Sequence, residues 1–254
     1  MNQQTAQKIL DDVKQTYNDI APDFDKTRAY VWPGIKAFVK YVGPNDKVLD
    51  LGCGNGKLRL LFKDVKIDYT GADNSSALLK LAGDKADLAL PGQKFAEAEV
   101  FNLPFVDNSF DAVFFLAVLH HIPGKDLRLK TLREINRVLK PGGVLVMTNW
   151  NRWQNEYNGH IFKYTLLKLF GKSELDFKDF YLPWMGGKAY RYYHAFTLGE
   201  VKRLVKKSGL KSEENYLAKF DGAKVSSLAY LTAANLVAVA RKARFNKTIK
   251  QESN

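Results

Sequence analysis

The sequence is poor in cysteine, in long apolar runs and in acidic residues. Cys53 is the only cysteine among 254 residues, which excludes an internal disulfide framework and a cysteine-based zinc site, so no metal site is expected. No apolar run approaches the roughly 20 residues that cross a bilayer, and the longest, 112–119, suits a buried strand. Residues 1–12 lack the apolar segment of a signal peptide. We therefore expect a cytoplasmic protein that does not enter membranes.

The shortage of acidic residues leaves the chain strongly basic. Lys and Arg number 39 against 27 Asp and Glu, which gives a net charge of +12 and a pI near 9.5. This balance is compatible with binding to phosphate backbones or anionic surfaces, but many basic proteins bind neither. The length allows one large α/β domain with a full core.

Helix-like and strand-like segments alternate along most of the chain. Apolar side chains at spacings of three and four predict a helix over residues 1–24, and Pro33 is expected to open a second helix over 32–41. Strands are expected over residues 47–51, 68–72, 95–98, 110–115, 144–149, 210–217 and 235–240. Helices between successive strands predict an α/β fold with a doubly wound, mostly parallel seven-stranded sheet.

The regular pattern breaks after the fifth strand. Residues 151–196 are rich in aromatic residues, glycine and lysine without a clean period, and are interpreted as an aromatic, basic cap insertion. A helix resumes over 197–207, with Thr197 as its expected N-cap. We expect a single domain over 1–242, followed by a flexible basic tail over 243–254. Its parts are an N-terminal helical segment (1–46), a ligand-binding core (47–150), the cap (151–196) and a C-terminal helix with strands (197–242).

A glycine-rich turn follows the first predicted strand, in V-L-D-L-G-C-G-N-G at residues 48–56. Gly52, Gly54 and Gly56 allow positive φ angles and close approach of a ligand to the backbone. Asp73 ends the next strand, where a carboxylate can accept both hydroxyls of a ribose. Dinucleotide sites usually read G-x-G-x-x-G, whereas here Asp50 precedes the turn, where it would repel a pyrophosphate and suit an ammonium group. The alternative is a tight turn without a ligand.

The turn resembles motif I of class I S-adenosylmethionine-dependent methyltransferases, and later segments resemble that family in the same order. Glu99 precedes L-P-F by four residues, at a position where the family usually has Asp. The other matching segments are D-N-S-F-D at 107–111, A-V-L-H-H at 117–121 and L-K-P-G-G at 139–143. The resemblance covers roughly residues 48–150 and implies S-adenosylmethionine as cofactor. It implies cofactor contacts from Asp50, Gly52, Gly54, Gly56, Asp73, Asn74, Glu99, Val100 and Ala117.

Three segments outside this core are similar to the tRNA wobble-uridine methyltransferases, which esterify 5-carboxymethyluridine. They are Y-N-D-I-A-P-D-F at 17–24 with Arg28 and Trp32 after it, D-F-Y-L-P-W at 179–184, and R-Y-Y-H-A-F at 191–196. This resemblance implies a tRNA anticodon loop as substrate, a possible small zinc-binding activator subunit, and a monomer or heterodimer. It implies substrate contacts from Arg28, Trp32, Arg191, Tyr192, Tyr193 and His194.

The candidates for a role in the chemistry are His121, Arg191 and His194. A carboxymethyl group has a pKa near 4, so it is ionised at pH 7 and needs no general base. Orientation can then supply most of the acceleration. Arg191 could pair with a carboxylate or a phosphate, and tyrosines could stack on an unpaired base. Residues 151–209 carry eleven Lys and Arg against five Asp and Glu, an excess that suits RNA.

Two other functions stay open from the sequence. The first is a small-molecule methyltransferase that acts on a quinone or lipid precursor, for which an amine or phenol acceptor would need His120 or His121 as a base. The second is a cofactor-binding interaction module without turnover. Tyr192 and Tyr193 could also simply pack the cap, since aromatic residues are common buried anchors.

Overall fold

Six α-helices and ten strands are present in the computed structural model, which describes residues 1–28, 31–85, 90 and 92–244. The helices are α1 (Gln3–Asp19), α2 (Ala21–Thr27), α3 (Ser76–Gly83), α4 (Lys125–Val138), α5 (Asn155–Leu169) and α6 (Leu198–Lys207). The strands are β1 (Lys47–Leu51), β2 (Asp68–Asp73), β3 (Lys94–Glu97), β4 (Phe110–Leu116), β5 (Leu139–Trp150), β6 (Asp179–Trp184), β7 (Ala189–His194), β8 (Lys211–Ala218), β9 (Lys224–Val225) and β10 (Asn235–Arg241). Most of the predicted tail, from residue 245 on, lies outside the described residues.

The central sheet has the strand order β3-β2-β1-β4-β5-β10-β8-β9. Strands β1 to β5 run parallel, whereas β10 runs antiparallel to both β5 and β8. The predicted doubly wound, mostly parallel α/β fold is confirmed. The strand number differs from the predicted seven, because the two-residue β9 pairs with the end of β8 and the cap adds a separate β6–β7 hairpin.

Alternating side chains of the strands fill a core on each face of the sheet. In β4, Val113 and Phe115 pack with apolar residues of α4 and α6. Ala112 and Phe114 point to the other face, where 3₁₀-helices over Pro33–Tyr41 and Lys57–Phe62 cover the sheet. The sequence predicted a helix over 32–41 without distinguishing its type. Covering both faces is what a parallel sheet of continuous apolar strands requires.

The predicted helix over residues 1–24 is divided into α1 and α2. Helix α1 ends at Asp19, and α2 begins at Ala21 with Pro22 in its first turn. Proline lacks a backbone N–H and is therefore tolerated where a helix starts, but not within one. At the start of α6, the Thr197 hydroxyl accepts a hydrogen bond from the Glu200 N–H, which confirms the predicted cap.

The cap region contains a helix that no periodicity predicted. Tyr157 and Ile161 of α5 pack against Phe180 and Tyr193 of the hairpin. Strand β7 of the hairpin also contacts α1 and the short 3₁₀-helix Leu119–His121 that follows β4. The cap therefore lies against the carboxyl ends of the central strands. Among the described residues, no helix is long and apolar enough to cross a membrane.

Candidate functional site

A cavity of about 620 Å³ opens at the carboxyl ends of the central strands. The strand order reverses between β1 and β4, and ligands of doubly wound folds bind at such a switch point. Two sets among the lining residues differ in chemistry. The glycine wall consists of Gly52, Gly54, Asp73, Asn74, Glu99, Val100 and Ala117. The arginine wall consists of His120, Trp150, Tyr157, Arg191 and Tyr193.

The glycine wall is shaped by main-chain conformations that favour glycine. Gly52 has φ 72°, and a Cβ placed on it would lie 2.3 Å from a Val118 methyl carbon. The Gly52 N–H donates to the Ala72 carbonyl oxygen at 2.7 Å. The Gly54 N–H donates to Asp73 Oδ2 at 2.8 Å. The turn is therefore tied to the end of β2, and Gly52 and Gly54 line the cavity.

Two carboxylates of the glycine wall keep acceptor capacity for a ligand. Asp73 Oδ1 accepts from the Ser75 N–H at 2.9 Å, so each Asp73 oxygen has one backbone donor and can accept another. Burial raises the pKa of Asp73, and these backbone donors oppose that shift. Glu99 accepts from the Asn74 amide at 3.2 and 3.4 Å. Both carboxylates suit hydroxyl or amino groups of a nucleoside.

Two predicted cofactor residues do not line the cavity. Asp50 is buried behind the turn, where Oδ2 accepts from the Tyr69 hydroxyl at 2.6 Å. Burial raises the pKa of Asp50 to about 7, and the charge of Asp73 adds to this. A Cβ on Gly56 would lie 3.0 Å from the Ala82 side chain, so Gly56 serves the packing of α3. Any effect of Asp50 or Gly56 on a ligand is indirect in this geometry.

Arg191 places a buried cation in the arginine wall. Arg191 is only 6% exposed. Its guanidinium lies 5.3 Å from the ring centre of Tyr193 and 5.6 Å from that of Trp184. Its Nε has no hydrogen-bond partner, and no carboxylate among the described residues forms an ion pair with it. Burying a cation is costly unless an anion compensates for it. The wall therefore offers a site for an anionic group.

Stacked rings surround this cation. The Trp150 and Tyr193 ring centres lie 4.6 Å apart with 14° between the planes, and those of Trp150 and Tyr157 lie 5.7 Å apart with 8°. His120 stacks on Tyr193 at 5.2 Å. The Tyr193 hydroxyl and both ring nitrogens of His120 have no hydrogen-bond partner among the described residues. These polar atoms are buried within the wall, so a ligand could pair with them only after the side chains turn towards the cavity.

His121 lines the cavity with both ring nitrogens already engaged. Nδ1 lies 2.9 Å from the Tyr192 carbonyl oxygen, which can only accept, so Nδ1 carries the proton. Nε2 then accepts from the Tyr17 hydroxyl at 2.8 Å. Burial lowers the pKa of His121 to about 3, which keeps the ring neutral. This arrangement holds Tyr17 in place and leaves no free nitrogen to act as a base.

Of the predicted R-Y-Y-H segment, only Arg191 and Tyr193 line the cavity. Successive side chains of a strand point to opposite faces, so Tyr192 and His194 point away from it. The Tyr192 hydroxyl accepts from Arg128 at 2.9 Å. His194 lies 2.5 Å from Asp179 and 2.8 Å from Glu200. Tyr192 and His194 therefore position the hairpin and do not contact a ligand in the cavity, contrary to the expectation from the sequence.

The buried ions around His194 hold the hairpin against the domain. Arg128 and Asp179 form an ion pair at 3.3 Å in which both side chains are buried. Burial by itself would raise the pKa of Glu200, but hydrogen bonds from His194 and Lys178 lower it to about 2. This network connects β6, β7, α4 and α6, and it fixes the strand that carries Arg191.

Arg28 and Trp32 are among the residues that line the cavity, and their contact with a substrate stays a prediction. The Trp32 indole N–H donates to the Phe220 carbonyl oxygen, and the two rings lie 5.5 Å apart. This contact depends on two glycines. A Cβ on Gly34 would lie 3.0 Å from the Gly222 nitrogen, and one on Gly222 would lie 2.8 Å from the Gly34 Cα.

Tyr17, Trp150 and Tyr157 are among the lining residues that are missing from the predicted set. Tyr17 belongs to a segment that the sequence singled out, but no role followed from its position. Trp150 ends β5, at the edge of the sheet where the other site residues lie. Tyr157 lies on α5, which had no signal in the sequence. Position at the carboxyl end of a strand is the signal that would have identified Trp150.

Comparison with known proteins gives consistent matches over this core. A family described as "Methyltransferase domain" matches residues 49–147. A tRNA (carboxymethyluridine(34)-5-O)-methyltransferase of Arabidopsis thaliana is 37% identical over 144 residues, which cover 57% of this chain and 34% of that protein. A protein of Encephalitozoon cuniculi named as a methyltransferase is 31% identical over 201 residues, which cover 78% of this chain and 87% of that protein. The chain spans about a third of the length of the first curated relatives.

Solved structures share the fold. A SAM-dependent methyltransferase of Methanosarcina mazei has a TM-score of 0.66 at 25% identity, and the match covers 82% of this chain and 98% of that one. A methyltransferase solved in complex with the Haloferax volcanii Trm112 methyltransferase activator has a TM-score of 0.64 at 20% identity, with coverage of 92% and 98%.

Proposed function

This chain belongs to the class I S-adenosylmethionine-dependent methyltransferases, and from this membership we propose that it methylates the carboxylate of 5-carboxymethyluridine at the tRNA wobble position. S-adenosylmethionine is the methyl donor of the family. The observation that carries the proposal is Arg191, a buried cation in the cavity wall without an anionic partner among the described residues. Relatives named as tRNA carboxymethyluridine methyltransferases support the choice of acceptor.

The glycine wall fits the cofactor. Gly52 and Gly54 line the cavity without side chains and so leave room for the ligand, and Asp73 can accept from ribose hydroxyls. Glu99 and Asn74 lie where an adenine amino group could be bound. When bound, S-adenosylmethionine supplies a methyl group on a positively charged sulfur. The protein's task is then to orient an acceptor and exclude water from it.

Arg191 orients the acceptor in this proposal. A guanidinium can bind a carboxylate through two parallel hydrogen bonds. Trp184 and Tyr193 hold that guanidinium from the sides, so its direction is set before the substrate enters. The acceptor is already ionised at neutral pH, which agrees with His121 having no free nitrogen.

The rest of the arginine wall is suited to a pyrimidine. Once their side chains turn towards the cavity, the Tyr193 hydroxyl and the His120 nitrogens can pair with the carbonyl and imide groups of uracil. The basic excess over residues 151–209 provides for phosphate contacts. RNA binding and a cytoplasmic location belong to the same proposal.

The test is transfer from labelled cofactor to two tRNAs that differ only at the wobble position, one with 5-carboxymethyluridine and one with uridine. An alkali-labile methyl ester on the first RNA alone is expected. Label in a small-molecule extract, with none on either RNA, would overturn the proposal in favour of a small-molecule methyltransferase.

The pH dependence distinguishes the acceptor chemistries. At saturating cofactor, the single-turnover rate on a carboxylate should be flat from about pH 6 to 9, because the acceptor titrates near 4 and the pKa of His121 is about 3. A rate that rises steadily with pH would indicate an acceptor that must lose a proton, such as a phenol or an amine.

A small activator subunit is part of the proposal. Support comes from a protein of the same fold solved with the Trm112 activator, and from β3, which pairs only with β2 among the described residues and so leaves one edge free for another strand. Co-expression with a zinc-binding activator of this type should give one species in size-exclusion chromatography and a higher unfolding temperature. If the two proteins elute separately and this chain alone transfers the methyl group at the full rate, the proposal of an activator subunit is wrong.

A further inference from the structure

Trp153 and Tyr230 form an exposed aromatic pair beside the cavity. Each residue is 37% exposed, and their ring centres lie 5.2 Å apart with 66° between the planes. The Arg152 guanidinium lies 4.3 Å from the Trp153 ring centre. No carboxylate in the described part of the chain forms an ion pair with Arg152. Two large rings and an unpaired cation thus share one exposed site, which we call the aromatic platform (Arg152, Trp153 and Tyr230).

Buried hydrogen bonds fix the aromatic platform to the domain. The Asn151 amide, in a residue only 1% exposed, donates to the Tyr230 and Ala233 carbonyl oxygens at 2.9 and 3.0 Å. The Arg152 N–H donates to the Phe196 carbonyl oxygen at 3.1 Å. The two rings are therefore presented by backbone that is held on both sides, which lowers the entropy cost of binding a ligand there.

Arg152, Trp153 and Tyr230 do not line the cavity, but residues next to them in the chain do. Gln154, which follows Trp153, lines both the cavity and a shallow groove of about 300 Å³. Glu156 and Ala234 are also shared by the cavity and the groove, and Leu231 lines the groove at 53% exposure. A chain-like ligand with one unit in the cavity would therefore lead its next unit towards the platform.

We propose that Arg152, Trp153 and Tyr230 bind the nucleobase adjacent to the target nucleotide in a single-stranded RNA. This rests on the proposed function, because it takes the unit in the cavity to be a nucleotide. Every base has a π-face that stacks on an exposed aromatic ring, and stacking sites of this kind tolerate many sequences. Arg152 adds a cation near the phosphate that joins the two nucleotides.

RNA suits the aromatic platform better than an apolar protein segment does. The cation lies against the ring itself, as in base-stacking sites, and the groove leads from a cavity whose wall contains an unpaired arginine. Glu156 is the carboxylate of the groove. It would repel a phosphate, so we expect the RNA backbone to lie on the Arg152 side and a base edge to face Glu156.

The test is RNA binding without methyl transfer. Fluorescence anisotropy is measured with a labelled RNA hairpin whose loop carries a central uridine, and with two versions that have an abasic nucleotide immediately before or after it. The variants are Trp153→Ala and Trp153→Phe. Phe162→Ala is the control, because Phe162 is a 66% exposed aromatic residue of α5 that lies outside the aromatic platform.

Trp153→Ala should weaken binding of the complete hairpin about tenfold, while Trp153→Phe and Phe162→Ala change it less than about twofold. One of the abasic hairpins should bind wild type about as weakly as Trp153→Ala binds the complete hairpin, with no further loss on combining the two changes. Equal weakening of all three hairpins by Trp153→Ala, or no weakening, would overturn the inference, as would failure of the wild-type protein to bind the hairpin.

The outcome separates this inference from the proposed function. Base-dependent binding at Trp153 without ester formation on carboxymethylated tRNA would leave the aromatic platform in place and reject the acceptor. Ester formation with no effect of Trp153→Ala on hairpin binding would support the acceptor and reject the platform.

Discussion

The two walls of the cavity are built in different ways. The glycine wall is formed by backbone turns and short polar side chains at the ends of β1 to β4, and its shape depends on positive φ angles at Gly52 and Gly54. The arginine wall consists of large side chains from the cap and from the ends of β4 and β5, held by ring packing and buried ions. The first wall is set by main-chain conformation and the second by side-chain packing. We therefore expect a substitution in one wall to leave ligand binding at the other wall unchanged.

The largest effect is expected from removing the unpaired cation. Arg191→Ala should lower kcat/KM for the carboxylate acceptor roughly a hundredfold or more, because the acceptor loses its charge partner in a buried site. This factor corresponds to a loss of about 3 kcal/mol in transition-state stabilisation. Arg191→Lys should recover part of that loss, since it keeps the charge without the planar fork. Cofactor affinity, measured by calorimetry, should change by less than about twofold. Equal losses in cofactor binding and transfer would show that the walls are not independent.

His194→Ala should destabilise the hairpin. It removes the ring that bridges Asp179 and Glu200 and leaves each carboxylate with only its other partner, Arg128 or Lys178. The free energy of unfolding, measured by urea denaturation, should fall by about 3 kcal/mol, because two buried hydrogen bonds to charged groups are lost. His160→Ala, in a half-buried histidine of α5 that contacts Phe180 outside this network, is the control and should cost less than 1 kcal/mol. If the two variants lose equal stability, the network does not fix the hairpin.

Asp50→Asn tests the buried acid behind the glycine wall. The pKa of Asp50 is about 7 in the folded chain and near 4 when unfolded, so the folded state binds the extra proton and wild-type stability falls as pH rises between these values. Without cofactor, the variant should therefore gain about 2 kcal/mol relative to wild type between pH 5 and 8. Parallel stability curves for the two proteins across that range would show that Asp50 is not protonated in the fold.

Glu99→Gln should have the smallest effect. Glutamine still accepts a hydrogen bond but loses the charge, so cofactor affinity should fall by about 1 kcal/mol, or fivefold, in a calorimetric titration. The KM for the acceptor should not change. A larger change in that KM than in cofactor affinity would place Glu99 with the acceptor instead of the cofactor.

The fold around the glycine wall could be predicted because it depends on sequence signals that lie within a few residues of each other. An apolar strand, a turn that needs positive φ and an acid at the end of the next strand all leave marks within a few residues, as Gly52 and Asp73 show. The boundaries of β1 and the cap of α6 at Thr197 followed from the same kind of signal. The 3₁₀ form of two helices did not, because the apolar spacing of so short a segment fits either helix type.

The helix and strands within the cap could not be predicted in the same way. Helix α5 exposes Phe162, Leu166 and Leu169 on the side away from the hairpin, so no polar face reveals the helical period. In the R-Y-Y-H segment, the side chains alternate between cavity and core only because the segment is a strand, and no clean period in residues 151–196 predicted a strand there. Its residue types were informative, but which of them face the cavity depended on a tertiary structure that spacing did not reveal.

The contact between Gly34 and Gly222 limits how this enzyme can be redesigned. Neither position has space for a Cβ unless the other backbone moves, so a single substitution would push the Phe220 loop away from Trp32 and widen the rim. A library aimed at a broader acceptor range should therefore hold both glycines constant and vary Phe220 itself, which is 65% exposed and free of this constraint. Among natural variants of this protein, we likewise expect Gly34 and Gly222 to be kept together while Phe220 varies.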